Sequence, residues 1–321
     1  EHTPFNKVRH CIFPKHYRYN HNEPQYFPFE RNEEGKWDVH SPCMDYWDHF
    51  EKILVRLGEM GMETDLILFH PYDRWGFSLL RMEEWKIYLD YLLRRLSAYP
   101  FIWWSLANEY DLMFNRTMEE WHEIEEFVAA NDCVGHLLSS HNCVHFYDFT
   151  RPNVTHCSIQ TDGIHKAAEW QERYKKPVVF DECCYEGNIN MAWGNISAFE
   201  MVNRFWRGCI QGSFVTHGET YVSEDEVLWW ARGGRLKGQS VPRIAFLKNI
   251  LYSLPSHLSL WKEPAVMGPD DRNITATVFE RPEEAYERFH ALINKEEREL
   301  SQAKDACYYG QCGEQAYIKY F

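Results

Sequence analysis

The chain has 321 residues, 45% of them hydrophobic and 26% charged, with a formal net charge of -14. Such a composition belongs to a folded globular protein of one large domain or two ordinary ones. No apolar run reaches the ~20 residues needed to span a bilayer, and the acidic balance argues against a phosphate backbone as partner.

The N-terminus, Glu1-His2-Thr3-Pro4, shows no basic segment followed by an apolar stretch. The ten cysteines are irregularly placed, without paired C-x-x-C metal spacing. Both features favour a cytoplasmic setting with reduced thiols, and neither calls for a metal or a cofactor. Aromatic residues reach 16%, with 13 Trp and 19 Tyr, which suits a core and equally a cleft that covers sugar rings.

Lys7 to Phe13 reads as the first strand. Residues 18 to 42 form a long loop without a clear period. Ser41-Pro42 is expected to open a helix, with Ser41 as N-cap, and Tyr46, Phe50, Ile53, Leu54 and Leu57 share its apolar face. Asp65 to Phe69 is a second strand, followed by His70-Pro71-Tyr72-Asp73-Arg74-Trp75. Glu83 to Ala98 reads as a helix with Trp85, Tyr88, Leu89, Leu92, Leu93 and Leu96 inward.

Phe101 to Leu106 is the third strand and runs into Ala107-Asn108-Glu109. Thr117 and Glu120 have capping-box spacing ahead of another helix. Short strands follow at His136–Ser140, ending in His141-Asn142, and at Val154–Ile159, ending in Gln160. A helix over Ile164–Tyr174 precedes the strand Pro177–Phe180, which ends in Asp181-Glu182. Ser197 to Gly212 is a helix with Phe199, Val202, Phe205, Trp206 and Cys209 inward. Ser213 to Thr216 is the seventh strand, ending in His217-Gly218-Glu219, and Val241 to Leu254 is the last helix of the series.

Strands that alternate with helices, each ending in polar residues, point to a (β/α)8 TIM barrel with its active rim at the strand C-termini. Seven strands are one short, so the first β/α unit is expected to be missing. Residues 1–255 make the barrel domain. Residues 256–321 change character: four prolines (255, 264, 269, 282) punctuate the change, Glu283–Ala306 reads as a charged helix and Ala316–Phe321 as a strand, the start of a truncated C-terminal β domain.

Counting the missing strand as the first, Glu109 follows the fourth strand and Glu182 the seventh. Two carboxylates converging over a barrel mouth are what glycoside hydrolysis needs: one protonates the leaving oxygen, the other attacks the anomeric carbon. Glu109 then requires a raised pKa and Glu182 a lowered one, and Asn108 suits the sugar 2-hydroxyl. The plain alternative is that Asn108-Glu109 caps a turn.

Strand–Asn–Glu followed by strand–Glu resembles the clan A retaining glycoside hydrolases. The stretches FPKHY, LILFHPYDRWGF, WWSLANEYDLM, PVVFDECCYEGN, WGNIS and HGETY resemble the apiosidase-like glycoside hydrolase family, specifically its bacterial multidomain members with flanking β domains. The resemblance covers roughly residues 4–252 and implies that Glu109 is the acid/base and Glu182 the nucleophile. Some members carry Asp at the acid/base position, which leaves the sugar open.

Other strand-end residues are candidates for substrate binding: His16, His70, Tyr72, Arg74, Trp75, His141, Asn142, Gln160, Tyr185, His217, Glu219 and Trp229. For several the structural alternative is equally plain: Asp73-Arg74 as an ion pair bracing its loop, the histidines as hydrogen-bonded scaffold, Asp181 as a structural acceptor. Two further functions compete with a glycosidase of plant-type saccharides. One is a metal-dependent barrel hydrolase using His70, His141, His156 and His217. The other is a non-catalytic carbohydrate-binding barrel. A carbohydrate is the expected partner in two of the three; oligomeric state is not legible.

Overall fold

The computed structural model describes residues 3–17, 23–222, 227–228, 235–255, 257, 259–260, 308–312 and 316–320. The helix expected over 283–306 lies outside them.

The chain opens with β1 (Lys7–Cys11), then an antiparallel hairpin of β2 (Phe29–Arg31) and β3 (Trp37–Pro42). Then come α1 (Met44–Glu59), β4 (Glu63–Phe69), α2 (Met82–Leu96), β5 (Ile102–Ala107) and α3 (Met118–Asn131). They are followed by β6 (Leu137–Ser139), β7 (Cys157–Gln160), α4 (Ala167–Tyr174), β8 (Val178–Glu182), β9 (Glu186–Gly187), α5 (Ala198–Ile210) and β10 (Phe214–Val215). The described chain closes with β11 (Glu219–Val222), β12 (Val227–Leu228), α6 (Val241–Tyr252), β13 (Ser259–Leu260), β14 (Tyr308–Cys312) and β15 (Ala316–Tyr320).

Two parallel sheets form a partial (β/α)8 barrel. One runs β1-β4-β5-β6 and the other β7-β8-β10. They meet where Thr155 N–H donates to Leu138 O at 2.8 Å and the Ser139 hydroxyl to His156 O at 2.7 Å. Seven parallel strands are thus in register among the described residues. β1 and β10 are the outer edges, and a cavity of about 1190 Å³ lies against them, its lining including Phe5, Val8, Phe205, Val215 and Leu247 and also Arg9, Glu182 and Tyr185.

The alternating strand faces explain the packing. Leu66, Leu68, Trp104, Leu106 and Phe180 point at the helices and are essentially fully buried. They meet Trp85, Tyr88, Leu89, Leu92 and Leu96 of α2 and Trp121 and Ile124 of α3. Each such side chain contributes about 1.5–3 kcal/mol on leaving water. The α3 N-terminus carries the expected capping box: Glu120 N–H donates to Thr117 Oγ1 at 3.2 Å, and Thr117 N–H to Glu120 Oε2 at 2.8 Å.

The helix expected to start at Ser41-Pro42 begins instead at Met44, after Cys43, which makes no side-chain cap. The Ser41 hydroxyl is engaged elsewhere, donating to Asp38 Oδ2 at 2.7 Å, and 37–42 pair as a strand with 29–31. Two residues expected inward face solvent: Ile53 is 40% and Phe199 78% exposed. At the far end, β14 and β15 form an antiparallel hairpin joined by β13. It rests on α5, where Tyr320 stacks on Trp206 and donates its hydroxyl to Asn203 Oδ1 at 2.6 Å.

Candidate active site

All seven parallel strands end at one rim, so the residues that follow them crowd a single mouth. Glu109 is 6% exposed and sits in the left-handed region, at φ 52° and ψ 55°. A non-glycine residue there costs ~1–2 kcal/mol and is held by its surroundings. Here the holders are the backbone bonds on either side: Asn108 N–H to Phe69 O at 2.9 Å, and Tyr110 N–H to His141 O at 3.0 Å.

Neutral donors converge on the Glu109 carboxyl. Tyr72 donates its hydroxyl to Oε2, Asn108 Nδ2 donates to the same oxygen at 3.0 Å, and Gln160 Nε2 to Oε1 at 3.1 Å. The Cys143 thiol also bonds this carboxyl. Gln160 arrives here through a register shift between Ile159 and Gln160, which sets it beside Glu182.

Glu182 ends β8 with its side chain 17% exposed. Arg9 Nη1 reaches its Oε1 at 3.5 Å, and the Tyr185 hydroxyl donates to it. His141 lies between the two residues: its Nδ1 accepts the Glu109 backbone N–H at 3.3 Å, and its Nε2 lies 3.9 Å from Glu182 Oε1, beyond hydrogen-bond reach. Burial depresses the His141 pKa well below the ordinary value, so the ring is neutral. With Nδ1 accepting, the proton is on Nε2, facing Glu182.

The expected lowered pKa of Glu182 is not what the site imposes. Burial first, and then the charge of Glu109, push Glu182 up to about 7, against the pull of Arg9 and Lys15. Burial already disfavours the Glu182 anion and the charge of Glu109 adds to that, so Glu182 holds its proton up to about pH 7. Lys15 is itself pushed down to about 8 by burial, with both glutamates acting to hold its charge. Its ammonium lies 4.2 Å from the Tyr72 ring centre. Arg9, Lys15 and Cys143 are site residues that sequence reasoning missed. Cations at Lys7 and Arg9, two residues apart on a parallel strand, were a usable signal, because they point inward and demand buried anions.

The other candidates separate into groups. Asn142 is fully buried and engaged with the Gln160 backbone, donating to its O and accepting its N–H, both at 3.1 Å. His70 is buried against Phe13 O at 3.1 Å and its pKa is pushed down to about 4 by burial. His16 and Trp75 meet edge to face at the outer rim, 6.1 Å between ring centres. Arg74 pairs with Glu23 rather than Asp73, and Trp75 Nε1 donates to Glu23 Oε1 at 2.9 Å. Asp73 braces its loop by accepting backbone N–H from Trp75, Gly76 and Ser78 at 2.7, 3.1 and 2.6 Å. Tyr185 packs across Gly218, where a Cβ would come within 2.3 Å of its ring.

Glu219 and His217 stand apart from the Glu109–Glu182 pair. Glu219 accepts backbone N–H from Lys237 and Gly238 at 2.7 and 3.0 Å, and its neighbour Glu186 accepts those of Gln239 and Ser240 at 2.7 and 3.2 Å. His217 Nε2 lies 3.2 Å from Ser240 Oγ and stacks on Phe5. Glu186, His217 and Glu219 bring their ligand atoms within 4.8 Å of one another, yet the carboxylates are already loaded with loop N–H donors. Trp229 lies outside the described residues.

A family model described as Apiosidase-like, catalytic domain, matches residues 2–262. Among solved structures, a candidate glycoside hydrolase from Bacteroides vulgatus ATCC 8482 is 38% identical, with a TM-score of 0.78 over 81% of this chain and 54% of its own. The chain therefore spans little more than half the length of that relative. A glycoside hydrolase family 5 protein from the same organism is 16% identical, with a TM-score of 0.53, over 78% of this chain and 61% of its own. A family 5 mannosidase from Rhizomucor miehei shares 12% identity and the same TM-score, over 78% of this chain and 84% of its own; these last two show the fold alone. No curated protein matches. The matched domain, the relative at 38% identity and the partial barrel agree, and the chain belongs to the apiosidase-like glycoside hydrolase family.

Proposed function

We propose that the chain hydrolyses glycosidic bonds of plant-type oligo- or polysaccharides by a retaining double displacement. Glu109 serves as acid/base and Glu182 as nucleophile. The observation that carries the reading is the pair itself: a buried Glu109 just after β5 and a largely enclosed Glu182 at the end of β8, with the neutral His141 ring between them and the charge of Glu109 helping to hold a proton on Glu182.

The chemistry starts from that single proton. The proposed reaction uses the form in which that proton has passed to Glu109; Glu182 is then the anion, faced by Arg9, Lys15 and the Tyr185 hydroxyl, and attacks the anomeric carbon. Glu109 gives its proton to the leaving oxygen. The glycosyl ester on Glu182 is then released by water that Glu109 deprotonates. Tyr72, Asn108 and Gln160 all donate to Glu109 and stabilise it as the carboxylate it becomes once the leaving group has departed. Asn108 and the rim aromatics Trp75 and Tyr185 are the sugar-facing groups in this reading.

One observation favours a second assignment within the same reaction. The donors gathered on Glu109, together with the raised pKa of Glu182, would equally suit Glu182 as acid and Glu109 as nucleophile.

A screen of plant-polysaccharide oligosaccharides and aryl glycosides, run with the intact chain beside Glu182→Ala and Glu109→Ala, tests the reading. Turnover that falls at least ~1000-fold in both variants supports a two-carboxylate mechanism. Turnover unaffected by Glu182→Ala refutes the nucleophile assignment.

A further inference from the structure

Beneath Glu182 the barrel interior holds a closed group of four charges. Lys7 and Arg9 come from β1, Asp65 from β4 and Asp181 from β8. Register places Arg9 directly beside Asp65. Arg9 Nε lies 3.2 Å from Asp65 Oδ2 and 3.7 Å from Asp181 Oδ1. Lys7 Nζ lies 2.5 Å from Asp181 Oδ1 and 3.4 Å from Asp65 Oδ2. The Ser158 hydroxyl holds the other Asp181 oxygen at 2.5 Å. The side chains are deeply buried, with Asp181 fully enclosed, Asp65 3% and Arg9 8% exposed.

Two cations and two anions leave the group formally neutral, so it is not needed to balance Glu182. What it does fix is direction. The guanidinium is a rigid planar fork. With Nε tied down between two aspartates, the Nη1 edge is left facing Glu182 Oε1 at 3.5 Å. An arginine on a flexible stem without that anchor would be drawn wholly into the nearest aspartate.

We propose that Asp65 and Asp181 are positioning residues, which anchor the Nε side of Arg9 so that its Nη1 edge is presented to Glu182. The proposal rests on the reading of Glu182 as a catalytic carboxylate, but its test needs no substrate and can fail on its own.

The other groups that face Glu182 are Cys11 and Lys15 at the end of β1, Tyr72 after β4, and Glu109 after β5. His141 and Cys143 face it from beyond β6, and Cys183 and Tyr185 from beyond β8. None is altered by the substitutions below, so a rise in the Glu182 midpoint reports on Arg9.

The experiment follows the carboxyl of Glu182 by NMR in protein labelled with 13C at glutamate Cδ, its resonance identified by loss in Glu182→Gln. In Asp65→Asn, plain charge removal takes an anion away from the site and lowers the Glu182 midpoint. Loss of the anchor lets Arg9 fall back onto Asp181 and raises it by about one pH unit. A rise supports positioning; a fall, or no change, overturns it. Arg9→Lys decides the matter if Asp65→Asn does not fold, because it keeps the charge and removes the fork. A midpoint that rises in Arg9→Lys supports the proposal, and one that stays in place shows that a point charge suffices and overturns it. Failure of the glycosidase reading would show separately, as undiminished turnover in Glu182→Ala.

Discussion

Glu182→Gln should make the protein more stable, and the gain should depend on pH. Glu182 has its pKa raised from 4.5 to about 7 by burial and by Glu109. A carboxyl raised in the folded state binds its proton more tightly there than in the unfolded chain. Between about pH 4.5 and pH 7 the folded state therefore holds the extra proton, and stability falls as pH rises. Each pH unit is ~1.4 kcal/mol, so the full cost above pH 7 is about 3 kcal/mol, little screened because the side chain is 17% exposed. Glutamine keeps an oxygen for Arg9 Nη1 and for the Tyr185 hydroxyl, and removes the titration. The assay is urea unfolding of both proteins from pH 5 to 7, below most of the range in which Lys15, pushed down to about 8, titrates. The stability difference between variant and parent should grow by about 2–3 kcal/mol in favour of Glu182→Gln over that range. A difference that is flat with pH, or that grows in the parent's favour, refutes the account of a charge held at a cost.

Three further outcomes follow from the same geometry. Hydrolysis should decline above about pH 7, where the pair gives up its remaining proton; a pH–rate profile of kcat/KM that stays level to pH 9 contradicts this. Tyr72→Phe, which removes a buried hydroxyl donor to Glu109, should cost ~1.5–3 kcal/mol, read as about a 10- to 100-fold loss of kcat/KM with unchanged circular dichroism. Asp73→Ala strips the acceptor from three backbone N–H groups of the rim loop and should lower stability by ~1–3 kcal/mol in chemical unfolding, with a rise in KM from the loosened Tyr72–Trp75 rim.

What sequence reasoning could reach was set by where the signal is local. α2 and the α3 capping box are short-range patterns, and both are where the periodicity placed them. The strand order followed because alternating strands and helices leave few topologies. Residues 37–42 misled because Ser-Pro is a good helix start, whereas a partner strand from 29–31 and an Asp38 acceptor are long-range facts. Within the site, Glu109, Glu182, Tyr72 and Gln160 were marked by their places at or just after strand ends, and Glu109 and Glu182 also by the family resemblance; the structure brings them together. Asn142 was marked the same way and is engaged by the Gln160 backbone. Arg9 and Lys15 went unnoticed because each lies near the start of the chain and acts across the barrel, on glutamates more than ninety positions away. The pKa of Glu182 could not be read from residue types, because it depends on how deeply the fold buries the carboxyl and how near it brings Glu109.

The most direct test of the central claim is covalent trapping. A panel of activated 2-deoxy-2-fluoro glycosides, incubated with the intact chain and mapped by peptide mass spectrometry, captures a retaining nucleophile as a stable glycosyl ester. The account predicts one adduct, on the peptide that carries Glu182, absent in Glu182→Gln and still formed in Glu109→Ala with a good leaving group. An adduct on Glu109, or turnover of the panel that survives in Glu182→Ala, contradicts it.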